Sequence, residues 1–281
     1  HEQILSAIRA SGGNVARTDI SIVHKHGSIT TDDKAAKHKR DLRILLKDLE
    51  ERPNHPFVLF NLGMTYADME RPIEAAEYLR RSINVAGPDE SHLGKAYGLL
   101  AACLLQAEEV AEASGVCEEA RRRFPDDPEI MFRGALVAHQ LGQHDTAIDR
   151  YQRLIDSCSR GGEESQPFSS RDAGITGHKA RHNLAVVYSE SERWEEAEYQ
   201  WRQALDEAPH FQPALVGLGR ALVAQERLVT AELAAQQWSE EQATRYAGLL
   251  LAAGVANTRG DARESVGRFG MATNEFPDQE E

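Results

Sequence analysis

The chain has 281 residues, enough for one large core or two ordinary ones, so length alone excludes little. Aromatic residues make up only 6%, there are ten prolines, and Ala, Leu, Glu and Arg are abundant, a mixture that favours helices over strands. The 32 basic and 45 acidic residues leave a net charge of −13, a field that argues against nucleic acid and anionic membrane surfaces as partners and leaves basic or neutral ones.

Cys103, Cys117 and Cys158 are odd in number and show no CxxC spacing, which argues against a disulfide framework or structural zinc and fits a reducing, cytoplasmic setting. No stretch approaches the roughly 18 to 20 consecutive apolar residues of a membrane span, and no charged-then-apolar leader opens the chain. His1 stands where an initiator Met would be, as in a piece of a longer protein.

Residues 1–30 form a distinct first region. Glu2–Arg9 reads as a short helix, Gly12-Gly13 as a turn, and Thr18–His24 as a strand by its β-branched alternation. A lone strand is not stable by itself, so this region reads as a short α/β remnant of something preceding it. Residues 1–55 carry ten Lys/Arg against eight Asp/Glu, so the remaining 226 residues hold all of the excess acidity.

Within residues 31–55, Lys34–Arg52 reads as one helix with Leu42, Leu45, Leu46 and Leu49 on one face, ending at Pro53. It is expected to act as an N-terminal packing helix.

From residue 56 to 281 the sequence repeats. Pro56 opens a unit with Leu62-Gly63, Tyr66, Ala75 and Leu79. Gly94 opens another with Leu100-Ala101, Ala113, Cys117, Ala120 and Pro125. Pro128 opens a third with Ala135, Gly142, Ala147 and Tyr151. The stretch 157–177, rich in Ser, Gly and charge, then interrupts the phase and reads as a loop. Units restart at His178, Gln212 and Tyr246, each 34 residues after the last.

The unit at His178 carries Leu184-Ala185, Tyr188, Trp194, Ala197, Trp201, Ala204, Leu205 and Pro209, and resembles the tetratricopeptide repeat almost position for position. That resemblance implies an all-α fold, a right-handed solenoid of about six helical hairpins. Small residues at positions 8 and 20 let the two helices of a hairpin approach closely, and stacking covers the apolar face that each hairpin leaves open.

A second resemblance lies at the N-terminus. The string HEQILSAIRASGGNVARTDISIVHKHG, followed by a basic helix and then the first repeat, is similar to the junction in bacterial family-2 glycosyltransferases that carry a C-terminal tetratricopeptide extension. The resemblance implies that residues 1–30 are the trailing edge of a sugar-nucleotide-dependent catalytic domain. His1 and Glu2 would match its active-site edge, and His24 a His on its last strand. The acidic pair that would hold a divalent metal would lie before His1. Asp32-Asp33 and Asp126-Asp127 read instead as helix caps.

In such solenoids the concave surface is lined by positions 2, 5, 6, 9, 12 and 13 of each first helix. The candidates for gripping a polypeptide are Asn61, Met64, Phe132, Arg133, His139, Lys179, His182, Asn183 and Arg220. Asparagines at position 6 can pair with both polar groups of an extended backbone, though only Asn61 and Asn183 are present. HKARHN (residues 178–183) is a basic cluster in an acidic protein, and Lys179 with Arg133 would suit a carboxylate or phosphate. The alternative for Lys179 and Arg181 is pairing with nearby acids such as Glu163, Glu164 or Glu190. Phe57, Phe60, Met64 and Phe132 are either groove contacts or core.

The leading functional reading is a non-enzymatic, protein- or peptide-binding scaffold without cofactor or metal, serving as the recruitment module of a glycosyltransferase. Two alternatives stand beside it: a fragment that still binds sugar nucleotide through His1, Glu2, His24 and His26, and a module that pairs with itself through an end or its convex face.

Overall fold

A computed structural model describes the chain at residues 8, 11–13, 31–88, 90–159 and 174–277. The expected helix at 2–9 and strand at 18–24 lie almost wholly outside the described residues. Of that region the structure shows a turn in which Gly13 N–H donates to Ile8 O (2.8 Å) and Gly12 has φ +77°.

All regular structure among the described residues is helical. Helix α1 (Thr31–Glu51) precedes six hairpins: α2 (Pro56–Asp68) with α3 (Pro72–Val85), α4 (Leu93–Gln106) with α5 (Val110–Arg123), and α6 (Pro128–Gln140) with α7 (His144–Ser159) come first. They are followed by α8 (His178–Glu190) with α9 (Trp194–Glu207), α10 (Gln212–Ala224) with α11 (Leu228–Glu240), and α12 (Arg245–Thr258) with α13 (Ala262–Glu275). First helices thus start within one residue of the repeat units read from the sequence. Helix α7 continues to Ser159, into the stretch read as a loop. At the start of α6 the Asp127 carboxylate accepts from the N–H groups of Glu129 (2.9 Å) and Ile130 (3.2 Å), the cap expected there.

One backbone device closes every hairpin. The fifteenth residue of each unit is in the left-handed region: Glu70, Glu108, Gly142, Glu192, Glu226 and Gly260, with φ between 56° and 81°. The residue after it donates its N–H back across the end of the first helix, as Arg193 does to Tyr188 O (2.9 Å) and Asp261 to Ala256 O (2.9 Å). This is the Schellman termination, normally a glycine position. Four of the six turns hold Glu there.

The described helices fall into two compact units, the first reaching Val137 within α6 and the second starting at Ala138. In the first unit α1 packs along α2, with Leu42, Leu45 and Leu49 half-buried but Leu46 exposed, against the expectation that all four share the packed face. Phe60, Leu79, Ala96, Tyr97, Leu100 and Leu104 belong to its apolar core. Cys103 and Cys117 are buried and in no disulfide, and burial pushes the Cys103 thiol up to about 11, so it is unreactive at neutral pH.

Close approach recurs within the hairpins of both units. Position 8 holds Gly63, Ala101, Ala135, Ala185, Gly219 and Ala253, all buried. Position 20 holds buried Ala75, Ala113, Ala147, Ala197 and Ala231, then half-buried Ser265. A Cβ at Gly63 would come within 2.6 Å of Leu79 Cγ.

The left-handed turns yield a test. A side chain at such a φ costs roughly 1 kcal/mol or more, partly offset by the extra unfolded-state freedom of glycine. Glu192→Gly is therefore expected to raise stability by roughly 0.5 to 1 kcal/mol, and Gly142→Ala to lower it by about 1 kcal/mol, read as opposite shifts of the urea midpoint.

Candidate functional site

The expected groove residues are mostly engaged within the fold, some in their own helix and some with a neighbouring hairpin. In the first unit Asn61 Nδ2 donates to Phe57 O (2.9 Å) and Met64 packs against the apolar core. Phe132 is buried, with the Arg133 guanidinium 5.8 Å from its ring centroid, and Arg133 reaches Glu129 at 3.3 Å. Phe57 and Phe60 meet at a tilt, and both contact the buried ring of His92, Phe57 edge-on and Phe60 tilted.

In the second unit Asn183 Nδ2 donates to Tyr151 Oη (3.2 Å), which ties α8 to the preceding second helix. His139 Nε2 lies 2.7 Å from Glu190 Oε2, beside the ring of His144. Of the two position-6 asparagines, Asn61 is therefore turned to its own helix and Asn183 to the neighbouring one, and among the described residues the position holds no row of free amides.

The basic cluster is likewise answered from within. Arg181 Nε meets Glu207 Oε1 at 2.7 Å, an acid other than those anticipated. His178 and His182 both set their rings edge-on to Phe211. The Trp201 Nε1–H donates to His182 Nδ1 (3.1 Å), and burial pulls the His182 imidazole down to about 4, so it is neutral at physiological pH. Among the described residues no three His, Cys, Asp or Glu side chains cluster as a metal site.

Glu198 is a buried carboxylate that composition and spacing do not flag. Burial alone would raise its pKa, but hydrogen bonds from Arg202 (2.7 Å), Gln225 (2.8 Å) and Arg227 (2.7 Å) outweigh that and hold it below the usual carboxylate range. A carboxylate so held is a tie between α9 and the α10–α11 turn. A general base needs the opposite shift.

The second unit does contain an open apolar cleft of about 320 Å³. Its walls are Trp194 at the start of α9, Val216, Val223 and Ala224 of α10, and Ala247, Leu250, Leu251 and Gly254 of α12, with Arg220 beside them. Counted in the repeat, α10 contributes positions 5, 8, 9, 12 and 13 and α12 positions 2, 5, 6 and 9, largely the positions expected to face a guest. Of the expected residues only Arg220 lies here, exposed. The others were legible in the register, which places apolar residues at these lining positions, but polar and charged side chains alone do not point to them. A larger cleft between α11, α12 and α13 is polar, and two of its cations are paired, Arg259 with Glu232 and Arg268 with Glu264.

Two family models described as "Tetratricopeptide repeat" match, one over residues 60–128 and 104–161 and one over 179–207. Over those residues the chain carries tetratricopeptide repeats. A tetratricopeptide repeat protein from Parabacteroides merdae superposes with a TM-score of 0.60 at 14% identity, covering 78% of this chain and 79% of that one. The type IV pilus biogenesis factor PilW superposes with a TM-score of 0.60 at 17% identity, covering 80% and 95%.

At these identities the likenesses establish the fold. Among curated proteins the chain is similar to "BBSome complex member BBS4" of Bos taurus, 28% identical over 97 residues that make up 34% of this chain and 18% of that protein. The match therefore spans less than a fifth of that relative. No described helix is long and apolar enough to cross a membrane.

The buried histidines predict a pH dependence. An unfolded imidazole takes up its proton near 6.5, whereas His182 does so near 4, and burial lowers His92 too despite Glu90 beside it. Between those values the unfolded chain binds more protons, so stability is fully present above about pH 6.5 and falls as pH drops toward 4. The part due to His182 is at most about 3 kcal/mol. His182→Gln, which keeps an acceptor for Trp201, is expected to flatten this slope in urea titrations at pH 7 and 5, leaving the His92 share.

Proposed function

We propose that this chain is a scaffold that holds a polypeptide, with the cleft between α10 and α12 as the anchor for an apolar side chain of the guest. The observation that carries this reading is the apolar lining of that cleft, walled by Trp194, Val216, Val223, Leu250 and Leu251. Arg220, exposed at the side of the cleft, adds a positive edge on which a carboxylate of the guest can rest. A curated relative that is named as a member of a protein complex agrees with a binding role.

The finer assignment rests on residues 1–30. Their likeness to the glycosyltransferase junction supports a recruitment module that presents a polypeptide acceptor to an attached family-2 transferase, in a bacterial cytoplasm. His139, Lys179 and the other expected groove residues join the guest-binding surface on this reading only as flanking contacts, since most already have partners within the fold.

Peptides selected from a random library on the wild-type chain test the binding role. They are expected to carry an apolar anchor and to lose at least about tenfold in affinity for Leu250→Asp while binding Tyr199→Asp unchanged, Tyr199 being exposed elsewhere. Selection of no peptide, or equal binding to both variants, counts against the cleft. Titration of the chain with UDP-sugars and manganese is expected to give no heat of binding. A signal that disappears in His24→Ala would move the chain into the enzyme class.

A further inference from the structure

Helix α1 reverses the charge of the rest of the chain. From residue 37 to 47 it carries Lys37, Lys39, Arg40, Arg43 and Lys47 against one acid, Asp41, whereas the excess of acid lies entirely in residues 56–281. On a helix Lys39, Arg40, Arg43 and Lys47 fall within about 100° of one another, on the side away from Leu42, Leu45 and Leu49. In the folded chain all five cations are exposed, while those three leucines are half-buried where α1 packs along α2. Ile44 (55% exposed) and Leu46 (38%) border the stripe of cations on its two sides.

Elsewhere exposed arginines are matched within a turn of helix, Arg71 with Glu74, Arg121 with Glu118, Arg153 with Asp149 and Arg193 with Glu196. In α1 the neighbours are alike. Lys39 and Arg43, and Arg43 and Lys47, are four residues apart; Lys37 and Arg40, and Arg40 and Arg43, are three apart, spacings at which like charges destabilise a helix. Among the described residues the stripe meets one carboxylate, Asp41 on Arg40 (2.9 Å), and Asp48 pairs instead with Arg52. The helix that α1 packs along, α2, has a single acid, Asp68, at its C-terminal end. Negative charge brought from outside relieves this repulsion.

We infer that the outer face of α1 docks an acidic polypeptide segment, whose carboxylates meet the stripe of cations and whose apolar side chains meet Ile44 and Leu46. Complementary charge selects an acidic partner. The width of the stripe selects a polypeptide. An anionic membrane or a nucleic-acid duplex presents its charge over an area much wider than one helix, so it also meets the repelling field of the acidic repeats. A single segment laid along α1 sits within about 8 Å, one Debye length, of the α1 cations, and acids farther off are screened from it. Helix α1 belongs to the first compact unit and the α10–α12 cleft to the second, so the inference stands whether or not that cleft binds peptide.

Fluorescence anisotropy of the full chain with a labelled peptide of Glu and Leu residues decides the matter, with phosphatidylserine-containing vesicles and labelled duplex DNA as the comparison probes. The peptide is expected to bind, and to bind more weakly as salt is raised. Arg43→Glu combined with Lys47→Glu is expected to weaken it at least about tenfold with the helical circular dichroism unchanged. Arg263→Glu combined with Arg268→Glu, an equal change of charge on exposed residues of α13, leaves it intact, and so does Leu250→Asp in the α10–α12 cleft. Absence of binding, an equal loss in the two charge-reversed chains, a loss confined to Leu250→Asp, or tighter binding of the vesicles or the DNA overturns the proposal.

Discussion

Two antiparallel helices can bring their backbones together only where side chains are absent or cut back to a methyl group, and in this chain that contact is repeated from hairpin to hairpin. Gly63, Ala101, Ala185 and Gly219 are buried at the small-residue position of their first helices, and the position-24 residues Leu79, Cys117, Tyr151, Trp201 and Ala235 are buried too. Tyr151 and Trp201 reach over their own hairpins toward the next helix. Each repeat therefore completes its neighbour, and no hairpin has a core of its own.

The same constraint governs where polar groups can go. Asn183 at position 6 faces Tyr151 on the preceding second helix, and in the next repeat the position shrinks to Gly217 to make room for Trp201. Position 6 thus answers first to packing and only then to a ligand. Where the facing residue is large the guest-facing option is lost, and where both neighbours are apolar and modest in size, as along α10 and α12, a cleft is left open. Binding capacity is in this sense a by-product of imperfect filling between adjacent first helices.

The repeat phase was readable because it rests on residue size at fixed intervals, and size is visible in the letters: Leu218-Gly219 or Tyr188 with Trp201 admit few other arrangements. The hairpin turns were not legible, since Glu70, Glu108, Glu192 and Glu226 adopt a left-handed conformation that local propensity assigns to glycine, and the six-fold recurrence of the geometry is evident only in coordinates. The candidate site was legible by position but not by residue type. Hydrogen-bonding and charged groups point to His139, His182 and Asn183, whose partners come from tertiary contacts that spacing alone does not give, and to Asn61, which bonds the Phe57 carbonyl of its own helix. The cleft instead depends on residues that look like ordinary core.

Charge sharpens the distinction between surfaces that are finished and surfaces that are not. Over most of the described structure ionic groups are matched locally, Arg181 with Glu207, Arg245 with Glu275 and Glu198 with Arg202 and Arg227, so that a net charge of −13 is spread over many small pairs with a surplus of acids. Those pairs that are exposed, unlike the ties of the buried Glu198, add little stability, but they keep the helical surface from associating without selection. Against that background the α10–α12 cleft, apolar but for Arg220, is a place where water is displaced at little cost. A stack of hairpins gains its cohesion by covering each apolar face with the next, and wherever the covering stops, the same cohesion is available to another chain.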